Sequence, residues 1–246
     1  MKEKIMVYLK LSIFLLILIS ILYYFFKIEN YYLRSIFIYL SFIVMGVLFS
    51  ANNSFPNIKK NRISPLRIKN ASYVALGVII ISSFIAYSMV YYLKGSSVNY
   101  FNFKPNYNLW DRIVFSLMVA PIIEEFLFRK SLIDLMIKSF NAKFTIIISA
   151  ILFSIAHFNT DGNLLQIFLV GVILGFIYYV TKDIWIVIII HSFINLGTLS
   201  LRYILDDLFD YLISVKFIII PICIFFVIGC ILLVSGLNYF RKISHS

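Results

Sequence analysis

Eight apolar stretches, about 15–26 residues long, follow one another along the chain and constrain its fold more than any other feature. Inside a bilayer every backbone polar group must be satisfied within the spanning segment, and an α-helix does this. The sequence therefore predicts an all-α fold, a polytopic membrane bundle of about eight transmembrane helices. The predicted spans are 5–26, 31–51, 71–93, 111–132, 144–158, 164–180, 184–201 and 215–240.

Composition and charge indicate that lipid is the solvent. The chain is 62% hydrophobic and 13% charged, whereas a soluble domain is about half apolar and about a quarter charged. The net charge of +11 does not indicate a nucleic-acid partner, because the basic residues lie in short loops between spans. Fourteen Lys and Arg residues lie on one predicted side and seven on the other. This bias places both termini in the cytoplasm and attracts anionic lipid headgroups.

The spans leave no room for a separate soluble domain, so we expect a single membrane domain over 1–246. The chain is rich in Ile, Phe, Lys, Tyr and Asn, which is typical of proteins from AT-rich bacteria. The expected location is the plasma membrane of a bacterium, with several passes through the bilayer.

Two adjacent glutamates lie inside the fourth span, where a charge costs roughly 2.5–3.5 kcal/mol on insertion scales. Glu124 and Glu125 point about 100° apart on a helix, so they cannot serve the same purpose. Arg129 follows Glu125 by four residues and can pair with it, which leaves Glu124 facing elsewhere. Pro121 predicts a kink just before the pair. Taken alone, the cluster could be a helix end with a satisfied ion pair, but an ionisable residue inside a span favours a function.

Two of the three histidines also lie in predicted spans. His157 follows Phe153 by four residues, so an aromatic ring is expected beside the imidazole. His191 and Asn195 share a face of the seventh span. A lone buried histidine is usually a packing residue, but each of these polar groups needs a partner in lipid. We expect that they partner one another in a single cavity.

Such a cavity could hydrolyse an amide bond. A glutamate shielded from bulk water can take up and return a proton, and a histidine beside it can share the proton of a bound water. A second histidine and an asparagine amide can donate hydrogen bonds to an oxygen that becomes negative during attack on a carbonyl. Alternatively, Glu124, His157 and His191 could hold zinc or another divalent metal, although their spacing is not the His-Glu-x-x-His pattern of soluble zinc proteases.

The polar residues form three motifs, in order, on three separate spans. The motifs are Glu124-Glu125-x-x-x-Arg129, Phe153-x-x-x-His157 and His191-x-x-x-Asn195. Together they resemble the motifs of the CPBP family, the CAAX prenyl endopeptidases and bacteriocin-processing or immunity proteins also called the Abi family. The resemblance predicts a catalytic core over 111–201.

The resemblance implies a role for each motif residue. Glu124 would be the general base that activates a water, and His157 would help to hold that water. His191 and Asn195 would stabilise the oxyanion. Glu125 and Arg129 would be structural or would position the substrate. Members of this family have been described both as metalloproteases and as glutamate proteases, so the resemblance leaves the cofactor open.

Three functions follow from these features. The resemblance favours an intramembrane endopeptidase that acts on a peptide or on another membrane protein, in bacteriocin maturation or self-immunity. A non-catalytic membrane scaffold could keep the same polar site for folding or for binding a partner. A proton-coupled transporter could also use buried Glu and His residues, but the sequence shows no repeated halves and no paired broken helices.

Overall fold

The computed structural model describes the backbone of residues 2–25, 27–50, 64–93, 113–158, 163–214 and 219–243. All regular structure in these ranges is helical, which confirms the predicted all-α fold. The loop at 94–110 and most of the basic loop after the second span lie outside the described residues. The helices are Lys2–Phe25 (α1), Tyr31–Phe49 (α2), Pro65–Leu93 (α3), the composite helix 115–136 (α4), Ala142–Ala156 (α5), Leu164–Thr181 (α6), Ile184–Ser214 (α7) and Ile219–Ile243 (α8).

Several of these helices are suited to lipid. Within the described ranges, α1, α2, α3, α6 and α8 are each long and apolar enough to cross a membrane. Two further apolar helices, α5 and the segment Ile184–Ser200 of α7, are shorter. Large apolar side chains such as Leu16, Val47 and Ile231 are exposed on the long helices, where water would be a poor solvent for them. The prediction of a multi-pass membrane protein is thereby confirmed.

Two helices extend beyond the predicted spans by six residues or more. The third span was expected to begin at residue 71, but α3 begins at Pro65. Proline suits the first position of a helix, and the Ser64 hydroxyl accepts the Arg67 backbone N–H at 3.3 Å. The seventh span was expected to end at residue 201, but α7 continues to Ser214. Hydropathy locates the apolar part of a helix, whereas backbone hydrogen bonds continue into polar sequence.

The chain divides into two compact units. The first contains Met1–Arg62 and Ala120–Val187, and the second contains Ile63–Val119 and Ile188–Ser246. The Glu124 and His157 motifs belong to the first unit, and the His191 motif belongs to the second.

The core of the first unit is organised around the fully buried ring of Phe128. It meets Phe14 from α1, Phe42 from α2 and Phe153 from α5 edge to face, with centroids 6.4, 5.9 and 5.4 Å away. Such aromatic pairs contribute about 0.5–1.5 kcal/mol each beyond their buried area. These contacts fix α2, α4 and α5 relative to one another, and these three helices carry the polar groups described below.

In the second unit, α3 and α8 approach closely at glycine residues. A Cβ atom added at Gly77 would lie 2.7 Å from the Gly229 carbonyl oxygen, and one added at Gly236 would lie 2.9 Å from the Asn70 carbonyl oxygen. Neither position has room for a side chain. Small residues of this kind allow membrane helices to pack backbone against backbone.

The composite helix α4 is irregular. It contains two π-helical segments, Phe115–Val119 and Phe126–Ile133, on either side of the α-helical segment Ala120–Glu125. A π-turn changes the hydrogen-bond pattern from i→i+4 to i→i+5, and π-turns are frequent at functional sites. The two adjacent glutamates therefore lie at the end of a short regular segment between two widened turns.

Candidate active site

A π-helical segment ends at Val119, two residues before Pro121, where the sequence predicts a kink. Proline has no N–H, so the carbonyl four or five residues before it loses its usual donor. These carbonyls belong to Leu117 and Ser116, and side chains from α7 supply the missing donors. The Ser192 hydroxyl donates to Leu117 O at 2.7 Å, and the Asn195 amide donates to Ser116 O at 2.8 Å.

Glu125 and Arg129 form the predicted ion pair. Arg129 Nε lies 3.0 Å from Glu125 Oε2, and both side chains are fully buried. Arg129 Nη2 also donates to the Gly171 carbonyl at 3.4 Å, and its guanidinium carbon lies 4.4 Å from the centroid of the Phe153 ring. Because the pair is removed from solvent, loss of either partner would leave an uncompensated charge.

Glu124 faces different groups from those around Glu125, as the 100° rotation predicts. It is only 5% exposed. Its Oε2 lies 3.6 Å from His157 Nε2, and its Oε1 lies 3.5 Å from the Tyr39 hydroxyl. The first distance is too long for a direct hydrogen bond, and at this separation one water could bridge the two groups.

The geometry around His157 fixes which ring nitrogen carries the proton. His157 Nδ1 lies 2.8 Å from the Phe153 carbonyl oxygen. A carbonyl oxygen only accepts, so Nδ1 must be the donor, and in the neutral imidazole Nε2 then presents its lone pair towards Glu124. The Phe153 ring also lies beside the imidazole, with centroids 4.6 Å apart, as the spacing predicts.

His157 lies at the boundary between a buried core and accessible surface. It is the residue directly after α5, and its side chain is 20% exposed. The imidazole can therefore be reached from outside the unit, whereas the carboxylate of Glu124 is largely covered.

The first unit brings together five of the seven predicted site residues, namely Glu124, Glu125, Arg129, Phe153 and His157. The other two lie on α7 in the second unit. His191 is buried there. Asn195 uses one amide hydrogen on Ser116, and an amide nitrogen carries two.

Two residues at the site escaped the sequence analysis. Tyr39 lies 85 residues before Glu124 and is one of 17 tyrosines, so no local spacing singles it out. The position of Ser192 beside the third motif, in contrast, does indicate it. It follows His191 directly and precedes Asn195 by three residues, which places its hydroxyl near the same helix face as the amide.

The described side chains of the first unit do not complete a zinc site. Glu124 and His157 supply two ligands, whereas a catalytic zinc usually has three protein ligands. Across the residues that the structure describes, no group of three or more His, Cys, Asp or Glu side chains could hold a metal ion. The possible metal set of Glu124, His157 and His191 is divided between the two units and remains a prediction.

The helices and the buried polar groups define a multi-pass membrane protein with a carboxylate–imidazole site. Residues 106–197 match the family described as type II CAAX prenyl endopeptidase Rce1-like. The matched segment contains all three motifs, and it confirms the resemblance to the CPBP family.

One relative from Bacillus subtilis (strain 168) bears the name "Putative membrane peptidase YdiL". It is 35% identical over 83 residues, which is 34% of this chain and 34% of that protein. The chain thus aligns with about a third of the relative's length. No solved structure gives a significant match.

Proposed function

We propose that this protein is an intramembrane endopeptidase that hydrolyses a peptide bond with a water activated by Glu124 and His157. The observation that carries the proposal is the buried carboxylate of Glu124, whose Oε2 lies 3.6 Å from Nε2 of His157. The match to CAAX prenyl endopeptidases and the name of the Bacillus relative support the same reaction class.

The arrangement suits a water that bridges the two side chains. One hydrogen of this water would bond to Glu124 Oε2, and the other would bond to the lone pair on His157 Nε2. Both hydrogens are then occupied, so a lone pair of the water oxygen is free to face a substrate carbonyl. This is the orientation that nucleophilic attack requires.

The reaction then proceeds in two steps. Glu124 Oε2 takes a proton from the water as its oxygen bonds to the carbonyl carbon, and the electron pair of the C=O bond moves to the carbonyl oxygen. When the tetrahedral intermediate collapses, the C–N bond breaks and Glu124 returns the proton to the leaving amine. By the family resemblance, His191 and Asn195 would donate hydrogen bonds to the negative oxygen.

Glu125 and Arg129 would position these groups without contacting the substrate. The guanidinium packs on the Phe153 ring, and the Phe153 carbonyl holds His157 Nδ1. The ion pair is therefore linked to the imidazole through one residue. Its loss would move the catalytic histidine as well as destabilise the fold.

The substrate class follows from the location of the site. A carboxylate within membrane helices can act on a peptide bond that enters the bilayer or lies at its surface, so we propose a secreted peptide or another membrane protein as substrate. In a bacterial plasma membrane such a reaction would serve bacteriocin maturation or self-immunity.

A membrane scaffold of the same family is the second candidate function. The bond from the Asn195 amide to Ser116 O supports it, because this motif residue stabilises the backbone of α4 without any substrate. In a scaffold the polar site would be needed only for folding or for binding a partner.

The test compares the wild type with Glu124→Gln in bacteria that express candidate peptide substrates, with cleavage scored by mass spectrometry. Glu124→Gln keeps the shape but removes the base, and we expect a rate loss of about 100-fold or more. The control is Glu29→Gln, which changes an exposed glutamate. A parallel culture with a chelator tests whether cleavage requires a metal ion. Cleavage at the wild-type rate by Glu124→Gln would contradict the proposal, and a biological phenotype kept without any cleavage would establish the scaffold.

A further inference from the structure

Tyr39 contacts the carboxylate of Glu124 from a different helix and on a different oxygen from His157. Its hydroxyl lies 3.5 Å from Oε1, the long end of hydrogen-bond distances, whereas His157 faces Oε2. A phenol O–H donates readily to a carboxylate, and hydrogen bonds to a charged acceptor are about twice as strong as neutral ones. The two oxygens of Glu124 are therefore in unlike surroundings.

A single row of aromatic rings sets the positions of both partners of Glu124. The Tyr39 ring packs edge-on against Phe42 with centroids 6.3 Å apart, and Phe42 packs edge-on against Phe128 at 5.9 Å. Phe128 then meets Phe153 at 5.4 Å, and Phe153 meets His157 at 4.6 Å. Phe42, Phe128 and Phe153 are buried, so the row is a rigid part of the core.

We propose that Tyr39 is a positioning residue that holds Oε1 of Glu124, so that Oε2 is the oxygen that takes the proton from the attacking water. This rests on the proposed function of the site. The terminal torsion of a glutamate side chain is broad, so the carboxylate can rotate when nothing holds it. The hydroxyl removes that freedom before the substrate binds, and such preorganisation lowers the barrier of the chemical step.

The kinetic test is Tyr39→Phe, which removes the hydroxyl and keeps the ring. We expect kcat to fall about tenfold, which corresponds to the loss of one hydrogen bond to a charged group, while KM changes less than about twofold. The control is Tyr32→Phe on the same helix, where the side chain is 42% exposed, and it should leave both constants unchanged. An unchanged kcat in Tyr39→Phe, or a change confined to KM, would overturn the proposal.

A spectroscopic test does not depend on turnover. The infrared difference between the wild type and Glu124→Gln isolates the carboxyl band of Glu124. In Tyr39→Phe this band should shift, because the loss of a donor to Oε1 alone changes how unequal the two C–O bonds of the carboxylate are, and in Tyr32→Phe it should stay in place. A band that stays in place in Tyr39→Phe overturns the positioning role even if the protein is a peptidase.

The two tests separate the two proposals. If the wild type cleaves no peptide but the band moves as expected, the endopeptidase reaction fails and the Tyr39 contact stands. If Tyr39→Phe does not fold, 3-fluorotyrosine at position 39 replaces it, since this residue keeps the shape and donates a stronger hydrogen bond. The band should then shift in the opposite direction to that in Tyr39→Phe, and no movement would overturn the proposal.

Discussion

Adjacent glutamates with the same charge have opposite surroundings in this protein. Glu125 is paired with Arg129 and excluded from solvent, which makes it an anchor of the fold. Glu124 has a phenol on one oxygen and an imidazole near the other. The 100° rotation between consecutive helix residues is sufficient to separate the two roles.

The buried pair provides a stability prediction. Arg129→Met should lower the free energy of unfolding by about 3–5 kcal/mol, because Glu125 would remain buried without its counter-charge. Glu125→Gln combined with Arg129→Met removes both charges and should recover part of that loss. Unfolding in detergent measures Arg129→Met, Glu125→Gln and the double variant, with Lys143→Met at an exposed position as the control. A double variant as unstable as the sum of the two single variants would contradict this account.

At the level of elements, α4 departs from a regular helix on both sides of the segment that carries the two glutamates. Pro121 withdraws one backbone donor, and hydroxyl and amide groups of α7 satisfy the two carbonyls concerned. Ser149 does the same for the Phe128 carbonyl in the second π-helical segment, at 2.8 Å. The polar residues of these helices thus compensate for irregular backbone, as membrane helices require.

Coupling between Pro121 and Ser192 tests this compensation. Ser192→Ala should cost about 1–3 kcal/mol of unfolding free energy, because the Leu117 carbonyl loses its donor. In a Pro121→Ala background the helix regains a backbone N–H, so the same change should cost clearly less. The control is Ser83→Ala, whose hydroxyl donates to the Ile79 carbonyl within its own helix. Equal costs for Ser192→Ala in both backgrounds would show that the proline does not create the need for the hydroxyl.

A polar tie joins α4 to the end of α6. The buried Tyr178 hydroxyl donates to Asp134 Oδ2 at 2.9 Å, and Lys130 and Lys182 contact the same carboxylate at 2.8 and 3.2 Å. Lys182 directly follows the last residue of α6 and has a left-handed backbone with φ of 51°. These contacts hold the C-terminal part of α4 against the C-terminal end of α6.

Removal of one hydroxyl tests the contribution of the tie. Tyr178→Phe should lower the unfolding free energy by about 1.5–3 kcal/mol, the usual value of a hydrogen bond to a charged group. Tyr179→Phe, at the neighbouring and less buried position, should cost less than about 0.5 kcal/mol. Thermal unfolding in detergent compares the two, and equal losses would show that the bond to Asp134 contributes nothing specific.

For the whole molecule, the sequence predicted the helices well because lipid imposes a simple rule. A span must be apolar and about 20 residues long, so hydropathy finds its centre. It does not find the ends, which depend on local bonds such as the cap at Ser64 or on polar residues that continue a helix, as in α7. Burial in lipid therefore does little to determine where a helix begins or ends.

The candidate site was predictable where its geometry is local. The Glu125–Arg129 pair and the Phe153–His157 contact both span four residues of one helix, and both are present. Tyr39 reaches Glu124 only through the packing of α2 on α4, which no sequence spacing encodes. The joint action of His191 and Asn195 with Glu124 remains a prediction from the family resemblance.

The central claim is that Glu124 is the base of a peptidase, and one measurement tests it most directly. The purified wild type and Glu124→Gln are each placed in lipid vesicles with a peptide that the wild type cuts in cells, and product formation is followed by mass spectrometry. The account predicts a cleavage rate at least about 100-fold lower for Glu124→Gln, with both proteins folded to the same extent. Equal rates for the two proteins would show that the carboxylate of Glu124 is not the catalytic base.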